Sequence, residues 1–409
     1  VNLTSLKSRL RDAVEDRSEV LLEASQRIHD HPELGYKEHF AHDLLSGMLE
    51  KEGLAVERGA FGLETAFVAR AGHSGPRIAV LCEYDALPGI GHACGHNIIA
   101  AAGLGAGLAA ASVAEEVGGQ VVILGTPAEE GGGGKILMAR AGAFEGVDAA
   151  LMVHPAGYDL TRMNVIAVQE LLATYTGKAA HAAAFPQDGR NALDAAVLGY
   201  LNVAALRQHI LPTERVHGVF SDAGEKANIV PARAVAEWLV RSDSIASLEP
   251  LKERVVAALQ AGASATGCEL EIRWRPVVYA DMLDNEVMLN LYKANAGALG
   301  RTVMEPDAQH QVVGSTDMGN ISYLVPSIHP MVAAAPAGTQ IHTPDFADHA
   351  RGAGGDQAVV AGALAMAWTV ADLWLGEGVL SAVQAEFDQT MARVGPAGRR
   401  SAIGEGSGA

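Results

Sequence analysis

Cysteine is nearly absent from this chain of 409 residues: there are three, Cys82, Cys94 and Cys268. So small and odd a number excludes a disulfide framework and fits a reducing compartment. Cations are also short. Lys and Arg number 30 against 48 Asp and Glu, a formal net charge of −18. Nucleic-acid binding draws on clustered cations that neutralise phosphates, so the balance argues against that partner. It favours solubility and says little about fold. No positively charged start leads into a hydrophobic region, so no signal peptide is visible. The longest apolar run, near Ile98 to Val113, is rich in Ala and Gly and reads as a buried helix rather than a membrane span. The expectation is a cytoplasmic protein with no membrane partner. No internal repeat is present. What is there is ordinary globular composition, 49% hydrophobic with 46 glycines, on a chain long enough for two domains.

Apolar positions at helical spacing predict amphipathic helices over Leu3–His29 and Glu38–Glu52, the second ended by Gly53. Strands then alternate with helices: Ala66–Arg70, Ile78–Tyr84, a helix from Asn97, Gln120–Thr126, a helix near Lys135–Ala141, and Ala149–Val153. That alternation indicates an α/β domain with a largely parallel sheet and helices on both faces. The pattern changes near Val165. A strand to Thr176, a helix Asn191–His209, strands Val216–Ser221 and Val235–Arg241, a helix Ile245–Ala265 and a strand Glu269–Trp274 follow. The order is β-α-β-β-α-β, a ferredoxin-like unit inserted into the first domain. The α/β pattern resumes after Asp281 with helices Glu286–Leu299 and Gln357–Leu375 and a short strand near Met331. The expected division is 1–164 with 282–391, an insert 165–281, and a loose Gly/Ser/Arg-rich tail 392–409.

Metal-ligand residue types recur where these strands run out. Cys94 and His96 sit two apart in a Gly-flanked loop after Ile78–Tyr84. Glu129 and Glu130 follow Gln120–Thr126 and precede four glycines. Two adjacent carboxylates there need a cation or a shared proton if buried. Neighbours in extended chain point in opposite directions. One can therefore bind a metal while the other faces a bound water as general base. His154 ends the next strand, and His342 stands late in Ile-His-Thr-Pro-Asp-Phe. Taken singly, each has a bland explanation: a buried Cys, a solvated acidic loop, a core His, a turn residue. Together they suit Zn²⁺, Mn²⁺ or a similar ion. Five ligands exceed the three a catalytic zinc normally takes from protein, and suit two ions sharing a thiolate bridge. Gly103-Leu-Gly-Ala-Gly107 lies inside a helix and reads as helix packing, not a dinucleotide loop. Gly131 to Lys135 lacks the Ser or Thr of a phosphate loop.

The chain resembles the aminoacylase/carboxypeptidase-type dinuclear metallopeptidases, in their Cys-containing amidohydrolase branch. The residues that carry the resemblance are His31-Pro-Glu-Leu-Gly35, Asp85-Ala-Leu-Pro88, His92-Ala-Cys-Gly-His-Asn97, Pro127-Ala-Glu-Glu-Gly131, Gly177-Lys-Ala-Ala-His181, Asn228-Ile-Val-Pro231, Arg241 and His342-Thr-Pro344. The resemblance implies an α/β/α catalytic domain with an inserted lid and dimerisation domain, and two divalent ions, Zn²⁺ or Mn²⁺, per subunit. It implies Cys94 as bridge, Glu130 and His342 on one ion, His96 and His154 on the other, and Glu129 as general base. Asp85 would orient a ligand. His181 would steady the oxyanion, reaching the partner's site in a homodimer, and Asn228 and Arg241 would grip the substrate. Gly314-Ser-Thr-Asp-Met318 and Asn97-Ile-Ile depart from the commoner pattern and resemble the branch of p-aminobenzoyl-glutamate hydrolases and β-alanyl-lysine-type dipeptidases. The expected activity is hydrolysis of an N-acyl amino acid or dipeptide. Aminoacylase, hippurate or indoleacetyl-amino-acid hydrolysis is the alternative substrate class, and a metal-dependent binding or regulatory protein on a hydrolase scaffold is the alternative function.

Overall fold

The computed structural model describes residues 2–404. They form two compact units, the first made of residues up to Asn164 with Met282–Arg399, the second of Val165–Asp281 with 400–404.

The first unit is built on a six-stranded sheet in the order Val56–Arg58, Phe67–Ala71, Gln120–Thr126, Arg77–Glu83, Ala149–Leu151, Ser327–Ile328. The last four are parallel, whereas Phe67–Ala71 and Val56–Arg58 each run antiparallel to their neighbours. The strand alternation divides the core in two. Ile78, Val80, Cys82, Val121 and Ile123 face one side, with helices Leu3–Glu15, Ser18–Asp30, His96–Ala111 and Ala353–Leu375. Ala79, Leu81, Val122 and Leu124 face the other, with helices Gly134–Arg140 and Met318–Ser322. Each of the Val, Leu and Ile side chains, fully buried, contributes about 1.5–3 kcal/mol relative to exposure.

Helix His96–Ala111 is buried on nearly every face, so its glycines serve contact rather than ligand binding. A Cβ on Gly103 would stand 2.3 Å from the Leu81 carbonyl oxygen, and one on Gly107 2.6 Å from Ile123. Ala353–Leu375 is long and apolar enough to cross a membrane, and 83% of its most apolar window is buried inside this core.

The structure departs from expectation at several points. The expected helix Leu3–His29 breaks at Asp16–Arg17, although its apolar period continues through Leu6, Leu10, Val14, Leu21 and Ile28. Arg17 sits at the break, its guanidinium bonded to the Ala13 carbonyl and Glu52. The run Ala149–Val153 is a strand only over Ala149–Leu151, in the main sheet, and a separate strand follows it, His154–Ala156, paired in parallel with Met331–Ala333. The expected loose tail is helical as far as Ile403, in a helix from Val379 interrupted at Gly395, with Pro396 opening the second segment. Residues 405–409 lie outside the described residues.

The second unit is an antiparallel sheet in the order Glu269–Trp274, Ala167–Thr176, Arg233–Ser242, Arg215–Asp222, with helices Ala192–Leu206 and Ile245–Thr266. Sheet residues Leu171, Ala173, Tyr175, Trp238 and Val240 are buried, as are Val255 and Leu259 of the longer helix. The helices touch at glycine: a Cβ on Gly262 would lie 2.4 Å from the Ala195 carbonyl oxygen.

Candidate metal centre

Three adjacent parallel strands deliver the site. Asp85 follows Arg77–Glu83, Glu129 and Glu130 follow Gln120–Thr126, and His154 follows Ala149–Leu151. Their carboxyl ends lie at one edge of the sheet, where ligands bind in α/β folds. Cys94 and His96 are brought there by Gly95, whose φ of +79° starts the buried helix. A Cβ at Gly95 would collide with Pro155 at 2.5 Å, so glycine is required twice over. His342 is tethered by its backbone N–H, which donates to the Ala93 carbonyl at 2.8 Å.

The side chains converge. Cys94 Sγ lies 3.4 Å from His154 Nε2. Nδ1 of His154 is bound to the Pro155 carbonyl at 2.8 Å, which leaves Nε2 with its lone pair. His96 repeats the device: Nδ1–H donates to Asp85 Oδ1 at 3.0 Å, and Nε2 faces the cluster. The other oxygen of Asp85 accepts the Glu130 backbone N–H at 2.9 Å, so one carboxylate aligns two candidate ligands. His342 Nε2 is 3.4 Å from Glu130 Oε1, and His96 Nε2 is 3.8 Å from the same oxygen and 3.9 Å from Glu129 Oε2.

Two ligand groups result, Cys94–His96–His154 and Cys94–Glu130–His342, with Cys94 common to both. His96 Nε2 and Glu130 Oε1 are buried without a hydrogen-bond partner. Buried polar atoms seldom stay unpaired. A thiolate, imidazole nitrogens and a carboxylate around these two atoms fit two borderline divalent ions. Strained backbone marks the same place: Ala128 and His342 have φ of +58° and +64°. Non-glycine residues there cost about 1–3 kcal/mol each, a load typical of functional sites.

The adjacent carboxylates are separated electrostatically. Burial, then Glu83 and Glu130, push the Glu129 carboxyl well above the usual range. Glu130 is also pushed up by burial, but the nearby His342 and the charges of His96 and His342 bring it below the ordinary value. One is thus suited to hold a proton and the other to remain an anion.

Glu83, Lys135 and Asp317 escape the sequence patterns. All three are buried. Lys135 Nζ bonds Glu83 Oε2 and lies 2.7 Å from Asp317 Oδ1. Glu83 ends an apolar strand, Lys135 opens a short helix and Asp317 precedes another, so only the fold unites them. His329 is likewise buried, its ring 5.4 Å from that of His154.

The expected residues of the second unit separate into two places. The hairpin beyond Thr176 brings His181 beside Asn228, with the Ala182 N–H on the Asn228 carbonyl at 3.1 Å. Nδ1 of His181 accepts the Ala184 N–H at 3.2 Å. Arg241 lies at the other end of the sheet, opposite Val168, half-buried.

The profile of the peptidase family M20/M25/M40 matches residues 80–346. The chain belongs to this family. It is 38% identical over 400 residues to the Xaa-Arg dipeptidase of Mus musculus, covering 94% of this chain and 93% of that protein. It is 28% identical over 451 residues to a p-aminobenzoyl-glutamate hydrolase polypeptide of Escherichia coli K12, with 92% and 94% covered. Its fold matches the aminobenzoyl-glutamate utilization protein from Klebsiella pneumoniae (TM-score 0.71, 21% identity, 88% and 97% covered). It also matches a Bacillus subtilis dinuclear metal-binding peptidase of the M20 family (TM-score 0.68, 20% identity, 88% and 99% covered). This M20 peptidase is therefore a hydrolase acting on C–N bonds.

Proposed function

We propose that this M20 peptidase uses two divalent ions, Zn²⁺ or Mn²⁺, to hydrolyse the amide bond of a dipeptide or N-acyl amino acid with a free carboxylate. The observation that carries the reading is the meeting of two ligand groups at Cys94 with Glu129 buried beside them. Cys94 would bridge, His96 and His154 would hold one ion, and Glu130 and His342 the other. When bound, the ions supply a polarised carbonyl and a water acidic enough to attack at neutral pH. Asp85 holds His96 in the tautomer that leaves Nε2 open. Glu129 takes a proton from the attacking water and passes it to the leaving amine.

The second unit acts as a lid. His181 steadies the oxyanion, while Asn228 and Arg241 bind the substrate carboxylate, for which a guanidinium is well shaped. Arg241 pairs with Val168 and Arg233 with Thr176, a separation of roughly 26 Å along the strand. His181 lies beyond the Thr176 end, so the two cannot grip one small substrate from the same copy. A homodimer in which each site takes Arg241 from one copy and His181 from the other resolves this. The edge strand Arg215–Asp222 supports it, with Val219 64% and Phe220 38% exposed. Such an apolar edge is a template for pairing.

The Xaa-Arg dipeptidase relatives favour a dipeptide ending in a basic residue, and the net charge of −18 would concentrate cationic substrates around the protein. The test is turnover by Zn²⁺- or Mn²⁺-reconstituted protein on Xaa-Arg, Xaa-Lys, N-acetyl-amino-acid and p-aminobenzoyl-glutamate substrates. Glu129→Gln should lower kcat at least roughly a hundredfold with metal content unchanged. Retained turnover refutes Glu129 as the base.

A further inference from the structure

The fold assembles a third ligand group from Glu83, His96 and Glu129, all buried. It shares His96 with the first group and would consume Glu129, the residue needed for proton transfer. We propose that Lys135 is a positioning residue: it denies this third group to metal and so keeps the ions on the Cys94 side, leaving Glu129 unligated. The inference rests on the two-metal reading above.

The geometry is that of a built-in cation. Lys135 is completely buried, and its ammonium is fixed between Glu83 Oε2 and Asp317 Oδ1, the latter at 2.7 Å. Its backbone N–H donates to Asp317 Oδ2 at 2.9 Å, so Asp317 holds both ends of the lysine. Glu83 is thereby anchored through one oxygen. The other, Oε1, has no hydrogen-bond partner and lies 3.1 Å from His96 Nε2 without the alignment of a hydrogen bond. A divalent ion among Glu83, His96 and Glu129 would share Glu83 with an immobile ammonium in a site without water to screen the repulsion. Remove the ammonium, and the carboxylates of Glu83, Asp317 and Glu129 face one another beside an imidazole. Buried anions so placed need a cation, and an oxygen-rich set suits Mn²⁺. The Gly-rich loop ending in Lys135 and the Gly314-Ser-Thr-Asp-Met318 motif then have a common purpose.

The test follows Co²⁺ binding in dialysed protein for the wild type, Lys135→Met and Lys135→Met/Glu83→Gln. His96 Nε2 has one lone pair, so an ion taken by the third group leaves the Cys94 side. In the wild type both equivalents raise the thiolate charge-transfer band; in Lys135→Met the band stops rising after one equivalent, and the double variant, which lacks a ligand of the third group, restores the wild-type titration. The kcat of Lys135→Met falls roughly a hundredfold at near-constant KM, as Glu129 is drawn into coordination. Lys135→Gln, which keeps a polar head, carries the same expectation should Lys135→Met not fold. A folded Lys135 variant whose charge-transfer band still rises through two equivalents overturns the proposal even if it is less stable. A wild-type count below two would instead strike the two-metal reading, and the proposal with it.

Discussion

Asp85 offers the sharpest test of how the centre is organised. It is almost fully buried, and burial pushes its carboxyl up, but the His96 hydrogen bond and charge, with the Glu130 N–H, hold it below the ordinary value. It is therefore an anion whose two oxygens serve two candidate ligands, at 3.0 Å and 2.9 Å. Asp85→Asn keeps the shape and cannot keep both bonds. With the amide oxygen toward His96, its NH₂ meets the Glu130 N–H, donor against donor. Turned round, the NH₂ donates to His96 Nδ1 and forces the ring proton onto Nε2, the atom that must ligate. Either way one charge-assisted bond, about 1.5–3 kcal/mol, is lost. Loss of such a partner behind a metal ligand lowers affinity ten- to a hundredfold, about 1.4–2.8 kcal/mol. Chelator-competition titration with Zn²⁺ and Mn²⁺ measures this directly, and the ion held by His96 should suffer the larger loss. Wild-type affinity at both sites in Asp85→Asn would refute the reasoning, because no orientation of the amide satisfies both donors.

Two further predictions concern stability. Burial raises the Asp284 carboxyl to about 7 despite Arg162, whose guanidinium is 3.8 Å away. The folded protein keeps a proton that the unfolded chain releases near pH 4, so stability falls as pH rises from about 4 to 7, by up to about 1.4 kcal/mol per unit. Asp284→Asn should flatten the dependence of Tm on pH and melt above the wild type at pH 8; parallel curves would count against it. Gly103→Ala puts a Cβ 2.3 Å from the Leu81 carbonyl oxygen and 2.9 Å from Cys82 Sγ. Overpacking of that kind costs about 1–3 kcal/mol, read as a Tm lower by roughly 3–10 °C, and an unchanged Tm would show that the helix gives way freely.

The element order was legible because the buried strands are short apolar runs bounded by turn residues. Arg77–Glu83 and Gln120–Thr126 lie within a residue of where the runs place them. Direction was less legible. Phe67–Ala71 has the same apolar character as its parallel neighbours yet runs antiparallel to Gln120–Thr126. Its orientation follows from the chain entering through Val56–Arg58 without a crossover helix. The break at Arg17 was invisible for a related reason. Periodicity reports which face is buried, and the same face continues across the break; what stops the helix is an arginine bonded to Glu52, 35 residues away.

The candidate centre divides along the same line. Cys94, His96, Glu129, Glu130 and His154 could be picked out because metal-ligand residue types recur at consecutive strand ends, and strand ends in an α/β sheet converge. Glu83, Lys135 and Asp317 are common residues whose significance lies only in burial, and burial is set by distant partners. Glu83 sits inside what reads as an apolar strand, and its 0% exposure is tolerable only because Lys135, 52 residues on, reaches its carboxylate. Lys135 in turn needs Asp317, 182 residues on. Removing Lys135 leaves two buried carboxylates with no cation between them, so the three are energetically one unit. A chain can signal a ligand by its chemistry, but it signals the counter-charge that lets a ligand site exist only through the completed fold.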